Sequence, residues 1–302
     1  MERTSHNITF RNTDPLRIAV VLVAGLLTVF FGVGIRAEEG NLLRMEYNNP
    51  GLTDFLAVGL WSWPVPCDVD DDGDTDLIVS CEDTPYNGTY LFENSGPADE
   101  PFPIFKKARR LSAGVINVQA SWIDGRLRVM TPNKEYPDFI HTGVEHPVDL
   151  GLNPNPHNNK VRGNMWKYVD FNGDGLTDIA VGSDDWTDYG WDNAWDATGH
   201  WTSGPLHGYV YILLNSGTNE EPKYDAPFPL LTSEGKRVDS FGWPSPCFVD
   251  FDGDGDLDLL CGDFRDRFIY FENVGTAIEP KYAPAAPIND VDGARLTIEL
   301  EM

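Results

Sequence analysis

The sequence predicts an all-β protein, a β-propeller built of four-stranded antiparallel blades. Three observations lead there. An acidic nonapeptide occurs three times, as "DVDDDGDTD" at 68–76, "DFNGDGLTD" at 170–178 and "DFDGDGDLD" at 250–258. Each copy runs into a short apolar stretch, "LIV", "IAV" or "LLC", rich in the branched residues that favour strands. Further on, each is followed by an aromatic strand, an Asn-x-Gly turn and an acidic-proline step: "YLFENSGPADEPF", "YVYILLNSGTNEEPKY" and "FIYFENVGTAIEPKY". A short fourth segment closes the unit, as in "ARRLSAG" and "GARLTIE". Strand, acidic loop, strand, variable loop, strand, turn, strand is the plan of one propeller blade.

The nonapeptide has a ligand spacing. Side-chain oxygens at its first, third, fifth and ninth positions can converge on one cation if the chain curls between them, and Gly73, Gly175 and Gly255 permit that curl. The candidate ligands are Asp68, Asp70, Asp72 and Asp76; Asp170, Asn172, Asp174 and Asp178; and Asp250, Asp252, Asp254 and Asp258. An all-oxygen set suits a hard ion, and Ca²⁺ accepts the six to eight ligands that such a loop, a carbonyl and water supply. An EF-hand shares the opening but needs a glutamate at the twelfth position and flanking helices, whereas the residues here are strand-like. Three acidic turns without metal are the alternative. Calcium sites of this kind hold a fold together and do no chemistry of their own.

With loop and companion strands together, the units resemble the FG-GAP or VCBS-type repeat proteins, calcium-bearing β-propellers that are also similar to the integrin alpha-chain head. The resemblance covers roughly residues 60–111, 163–232 and 240–298, which are the expected blades. It departs at Asn172, which keeps an oxygen but loses a charge, and at Thr75, where the family pattern carries a second glycine.

The chain opens with arginines at positions 3, 11 and 17 and the apolar run "RIAVVLVAGLLTVFFGVGI", closing on "GIRAEE". Residues 1–37 read as a secretory signal ending at Ala37, with an uncleaved membrane anchor as the alternative. The expected location is secreted or extracytoplasmic, with membrane association only if the segment stays. Residues 38–302 form the expected propeller. The formal net charge of -26, from 48 acidic and 22 basic residues, argues against a nucleic-acid partner. With aromatic residues at 12%, the acidity does not imply disorder.

Residues 112–162 lack the acidic motif. They contain "VQASWIDGRLRVM", which alternates like a hairpin around Asp124-Gly125, and a run rich in proline and asparagine, so they read as a degenerate blade or an insertion. Three clear units and one doubtful one leave two alternatives, a tight four-blade ring or an incomplete set from a larger propeller; the count favours the second. Four cysteines stand at 67, 81, 247 and 261. In an exported protein they suggest disulfides, Cys247 with Cys261 more than Cys67 with Cys81, against four small core residues.

Function must come from the variable loops. In an antiparallel blade successive connections alternate between the two ends of the ring, so the acidic loops occupy one end and the lead-ins and second connections the other. That second end gathers "LWSWPVP", "FGWPSP", "CEDTPYNG", "GDFRDR" and the long insertion at 183–208, which shows no strand period. A loop this long inside a compact domain is usually functional. Trp186, Tyr189, Trp191 and Trp201, with Trp63 and Trp243 nearby and Asp83, Asp263 and Arg265 at the edges, form the expected platform. Indole faces beside carboxylates suit sugar rings, so a carbohydrate or cell-surface ligand is expected; the alternative is that the tryptophans are the loop's own small core. A second class is an enzyme acting on acidic polysaccharides, as some similar calcium-bearing propellers are lyases. Elimination needs a base, an acid and a neutralising charge, for which His200, His207, Tyr189 and Arg265, with His157 and Arg162, are the candidates. No spacing among them forms a nucleophile elbow, zinc site or phosphate loop.

Overall fold

A computed structural model describes residues 56–96, 102–157, 160–190, 194–265 and 267–297. Residues 1–37, expected as a signal segment, and Trp191 lie outside them. The chain forms four small antiparallel sheets arranged in a ring, a four-blade β-propeller. The first blade is β1 (Ser62–Cys67), β2 (Asp76–Cys81), β3 (Gly88–Phe92) and β4 (Arg109–Ser112), in that order across the sheet.

Of the two readings of residues 112–162, the blade is the one formed, as the second of the ring: β5 (Gln119–Ile123), β6 (Arg126–Thr131), β7 (Lys134–Glu135) and β8 (Val148–Asp149), with the single turn of helix α1 (Phe139–Thr142) before β8. Where the other blades carry an acidic loop, this one turns on Asp124 and Gly125 alone, at φ of 51° and 73°, the left-handed pair a two-residue hairpin needs.

The third blade is β9 (Asn164–Val169), β10 (Asp178–Asp185), β11 (His207–Leu213) and β12 (Phe228–Pro229), and β13 (Asp239–Ser240) also pairs with β11. The fourth is β14 (Ser245–Val249), β15 (Asp258–Gly262), β16 (Phe268–Phe271) and β17 (Ala286–Pro287). Its last strand is therefore not "GARLTIE", whose described residues make isolated bridges, Asn289 with Arg295 and Arg267 with Thr297.

The first strand of each blade lies innermost. Across the centre the Ser245 hydroxyl of β14 donates to Gln119 Oε1 of β5 at 3.3 Å, and so the arrangement is the tight ring, not an arc of a wider one. Apolar cores fill three junctions. Val65, Ile78 and Leu91 of the first blade meet Val118, Val129 and Phe139 of the second. Met130 of the second meets Trp166, Ile179, Val181 and Tyr211 of the third. Val169, Ala180 and Ile212 of the third meet Leu259, Cys261 and Phe271 of the fourth. The fourth junction differs: Trp243 lies 4.8 Å from Trp61 and 6.3 Å from Trp63, while Pro64, Pro66, Cys247 and Val249 stay exposed.

No disulfide forms among the four cysteines, which corrects the expected Cys247–Cys261 pair. The register sets Cys261 opposite Pro246 and Cys247 opposite Leu260. Cys261 then faces the core while Cys247 faces outward, so the two sulfurs leave opposite sides of the sheet. Cys67 and Cys81 lie at opposite ends of the β1–β2 ladder, paired with Asp76 and Ser62. Burial, with Asp76 and Asp68 adding to it, pushes the Cys67 thiol up to about 12, as expected of an inert core thiol.

One polar contact recurs in three blades. The ninth aspartate of each motif is buried, and each of its carboxylate oxygens accepts one backbone N–H. Asp178 takes Phe171 at 3.0 Å and Asn215 at 2.7 Å. Asp76 takes Val69 at 2.8 Å and Asn94 at 2.7 Å, and Asp258 takes Phe251 at 3.1 Å and Asn273 at 2.7 Å. The carboxylate thus ties the start of the acidic loop to the asparagine two residues beyond the third strand. Replacing Asp178 with alanine orphans two buried donors, and urea unfolding in chelator should show a loss of about 2–4 kcal/mol. Asp174→Ala, in the exposed part of the same loop, should stay within about 1 kcal/mol.

Candidate functional site

The two ends of the ring are chemically different. At one end, the first aspartate of each acidic loop curls the chain onto itself: Asp170 accepts the amides of Asp174 and Gly175 at 3.1 and 3.0 Å, and Asp68 accepts those of Asp72 and Gly73 at 3.2 and 3.0 Å. Asp250 accepts Gly253 and Gly255 at 2.8 and 3.2 Å. The sixth-position glycines adopt φ of 89°, 82° and 97°, a region costly for side chains other than glycine.

The expected ligand sets assemble in part. Oxygens of Asp68, Asp70 and Asp76 lie within 4.8 Å of one another, as do those of Asp250, Asp252 and Asp254. Asp72 and Asp258 fall outside these groups, and among the described residues the middle loop brings no three acidic groups together. There the Asn172 amide donates to Asp174 at 3.0 Å, so the asparagine turns its donor toward its neighbour. Three buried oxygens at these loops have no hydrogen-bond partner: Asp74 Oδ1, Asn172 Oδ1 and Asp256 Oδ1. Buried acceptors left open are what a cation would satisfy. Sequence reasoning missed Asp74 and Asp256, because the ligand spacing took the first, third, fifth and ninth positions and passed over the seventh.

Crowding marks the same residues. Burial first, then Asp72 and the other loop carboxylates, pushes Asp74 up to about 6; burial and then Asp254 do the same to Asp256. Asp70 and Asp252 are also raised, chiefly by burial. Carboxylates that titrate higher folded than unfolded bind more protons in the native state, so in chelator stability should rise as pH falls from 7.5 to 5.5. Melting temperatures across that window should show the rise, and Asp74→Asn with Asp256→Asn should reduce it to the share of Asp178, which burial pushes up to about 6.

At the opposite end, in three blades the lead-in bonds to the end of the second strand or the connection after it: Leu60 N to Thr84 O at 2.9 Å, Asp184 N to Gly163 O at 3.1 Å, and Phe264 N to Phe241 O at 2.9 Å. A continuous aromatic surface spans these segments. Tyr189 lies 4.4 Å from Trp201 and 6.1 Å from Phe241, and Trp195 lies 5.4 Å from Trp201. With Ser203, Gly204 and Pro205 they line a shallow cleft of about 410 Å³. Trp195 is 60% exposed. Sequence reasoning saw it in the insertion but left it off the platform.

The insertion is shorter than expected, since β10 runs to Asp185 and β11 starts at His207; between them a bridge joins Trp195 and Trp201. Trp186 belongs to its core: it is buried, its indole N–H donates to Asp184 at 2.8 Å, and it packs on Tyr189 and Phe264. The expected edge residues lie as follows. The Asp263 side chain is buried and holds its own turn through the amide of Arg265 at 2.7 Å. Arg265 lies over Phe241, 4.2 Å from the ring centre. Asp83 accepts the Thr84 amide at 2.6 Å on the exposed loop.

Among the described residues, His200, His207 and Arg265 each pair with a different carboxylate. His200 is exposed beside Asp196 and Thr198, His207 Nδ1 meets Asp239 at 2.7 Å, and Arg265 pairs with Asp263. The register of β10 and β11 instead puts a different group on one sheet face, with Asp185 opposite His207 and Ser183 opposite Tyr209. His207 stacks on Tyr209 at 5.3 Å, Arg237 lies 4.8 Å from that ring, and His157 is 3.1 Å from Ser183 and 5.8 Å from Tyr211. Burial lowers the His157 pKa, favouring neutral imidazole. Tyr209, Tyr211, Arg237 and Asp239 carried no sequence signal beyond the alternation of β11.

By fold the protein is a four-blade β-propeller with acidic loops at one end and an aromatic surface at the other. The sequence matches no known family model and no curated protein.

Proposed function

We propose that the protein is an exported, calcium-stabilised β-propeller of the FG-GAP or VCBS type that binds carbohydrate or cell-surface ligands through its aromatic end. The observation that carries this reading is the open cleft of Tyr189, Trp195, Trp201 and Phe241. The exposed Trp195 and the partly exposed Tyr189, Trp201 and Phe241 line one cleft, which gives the C–H side of a sugar ring apolar aromatic surface to pack on. Polar groups for its hydroxyls stand at the rim in Ser203 and Arg265.

Calcium fits the opposite end. Asp68, Asp70 and Asp76, Asp250, Asp252 and Asp254, and in the middle loop Asp170, Asn172, Asp174 and Asp178 would hold it, with the open oxygens of Asp74 and Asp256 within the same turns. When bound, the ion neutralises carboxylates that otherwise repel one another, and stabilises the native state by mass action. Adding calcium at pH 7.5 should raise the melting temperature by several degrees, and the gain should shrink at pH 5.5, where protons compete for the same oxygens. An unchanged melting temperature at pH 7.5 would remove calcium from the account.

Stacking tryptophans and core tryptophans separate by mutation. Trp201→Ala should weaken glycan binding by about 1–3 kcal/mol, in the range of aromatic hot spots, with little loss of stability. Trp186→Ala should cost stability first, as burial demands. Binding measured by calorimetry beside melting temperature tests this; destabilised Trp201→Ala protein with unchanged affinity would end the carbohydrate reading.

The group on the β10–β11 face favours a second reading, cleavage of acidic polysaccharides by elimination. His157 or His207 would remove a proton, a tyrosine would protonate the leaving oxygen, and Arg237 would neutralise the uronate. An assay for unsaturated product on polyuronates decides between binding and cleavage.

A further inference from the structure

The aromatic cleft constrains the charge and the shape of what it can hold. Among the described residues that line its 410 Å³, none carries a charge. Its open polar groups are neutral as well. The Tyr189 and Ser203 hydroxyls keep surface accessible to solvent and have no hydrogen-bond partner among the described residues, whereas the Trp201 indole N–H donates to Gly204 O at 3.3 Å. The rings set the shape: Tyr189 and Trp201 are inclined at 41°, Trp195 and Trp201 at 76°, and Tyr189 and Phe241 at 83°. Rings inclined in this way wall an angular notch, not a flat strip.

The rim of the notch is acidic. Asp188 is exposed beside Gly204, whose amide donates to the Asp188 carbonyl at 2.8 Å. Asp196 is exposed next to Trp195 and turns the hairpin between Trp195 and Trp201, its carboxylate accepting the His200 amide at 3.0 Å. The imidazoles of His207 and His200 lie 3.5 and 3.6 Å from these two carboxylates. Arg265, over the Phe241 ring, is held by the buried Asp263 carboxylate at 3.1 Å, so its charge is balanced where it stands.

We infer that the cleft selects an uncharged glycan, taken as a single soluble chain, and rejects both polyuronates and flat crystalline polysaccharide. This rests on the carbohydrate reading and narrows it to a ligand class. A carboxylate entering the cleft gives up its hydration among ring faces of negative quadrupole, with no lining cation to replace it. It also meets Asp188, Asp196 and the field of a chain of net charge -26. A neutral sugar ring meets no such penalty: its C–H side packs on the aromatic walls, and its hydroxyls reach Tyr189 and Ser203, each of which can donate and accept.

The test is calorimetry at pH 8, above the ordinary range of histidine, with neutral hexamers of glucan, xylan and mannan and with uronate hexamers, at low and at moderate ionic strength. A neutral hexamer should bind with an affinity indifferent to salt, and Trp195→Ala should weaken it about tenfold at unchanged melting temperature. Uronate hexamers should bind about tenfold more weakly at low salt and gain as salt screens the repulsion. Asp188→Asn combined with Asp196→Asn should strengthen uronate binding about threefold and leave neutral binding unchanged. Crystalline cellulose and chitin particles should leave the protein in solution. A uronate hexamer that binds as tightly as the neutral ones, weakens with salt and is released by Arg265→Gln overturns the proposal with the carbohydrate reading intact, and so does capture on the crystalline particles. If no hexamer of either kind binds, the carbohydrate reading falls and the proposal falls with it.

Discussion

The buried carboxylate at the end of each acidic motif is the contact on which the blades depend. A charged group inside a sheet is costly unless each of its oxygens is bonded, and Asp76, Asp178 and Asp258 meet that condition with two backbone amides apiece. One amide lies at the head of the acidic loop and the other at the asparagine just beyond the third strand. That asparagine carries the connection onward: Asn215 Oδ1 accepts Gly217 and Lys223, and Asn273 Oδ1 accepts Gly275 and Lys281. Asn94 Oδ1 does the same for Gly96 and Ile104. A single aspartate and a single asparagine so fix both connections at one end of a blade.

The division of labour between the ends follows. Rigid, acidic turns at one end leave the opposite connections free to vary in length, from the short 82–87 loop to the 186–206 insertion, without disturbing the ladders between them. The second blade supports the point by contrast. Lacking the motif, it is held by a different polar contact, in which Arg128 grips both oxygens of Glu135 at 2.7 and 2.8 Å, Tyr168 of the next blade donates to Glu135 at 3.0 Å, and the guanidinium lies over the Tyr168 ring. Its outer strands are only two residues long.

What the sequence disclosed was local. Alternate aspartates around a glycine announce a curled loop whatever lies elsewhere in the chain, and three copies with a companion strand announce a blade. The contacts that decide roles are not local. Asp178 and Asn215 are 37 positions apart, so the asparagine looked like turn punctuation alone. Trp186, Trp195 and Trp201 are compositionally alike, yet the carboxylate of Asp184 draws the first inward while the hairpin joining the other two holds them outward. Cys247 and Cys261 sit symmetrically about their loop, but a one-residue offset in register sends their side chains to opposite faces.

Native-state hydrogen exchange reads the central contact most directly. If the buried carboxylates anchor the blades, the amides of Val69, Phe171 and Phe251 and of Asn94, Asn215 and Asn273 belong to the slowest class and exchange only through global unfolding, although all sit at strand ends where amides ordinarily fray. In Asp178→Ala the Phe171 and Asn215 amides alone should drop into the fast class. Exchange of these six amides through local opening in the unaltered protein would contradict the account.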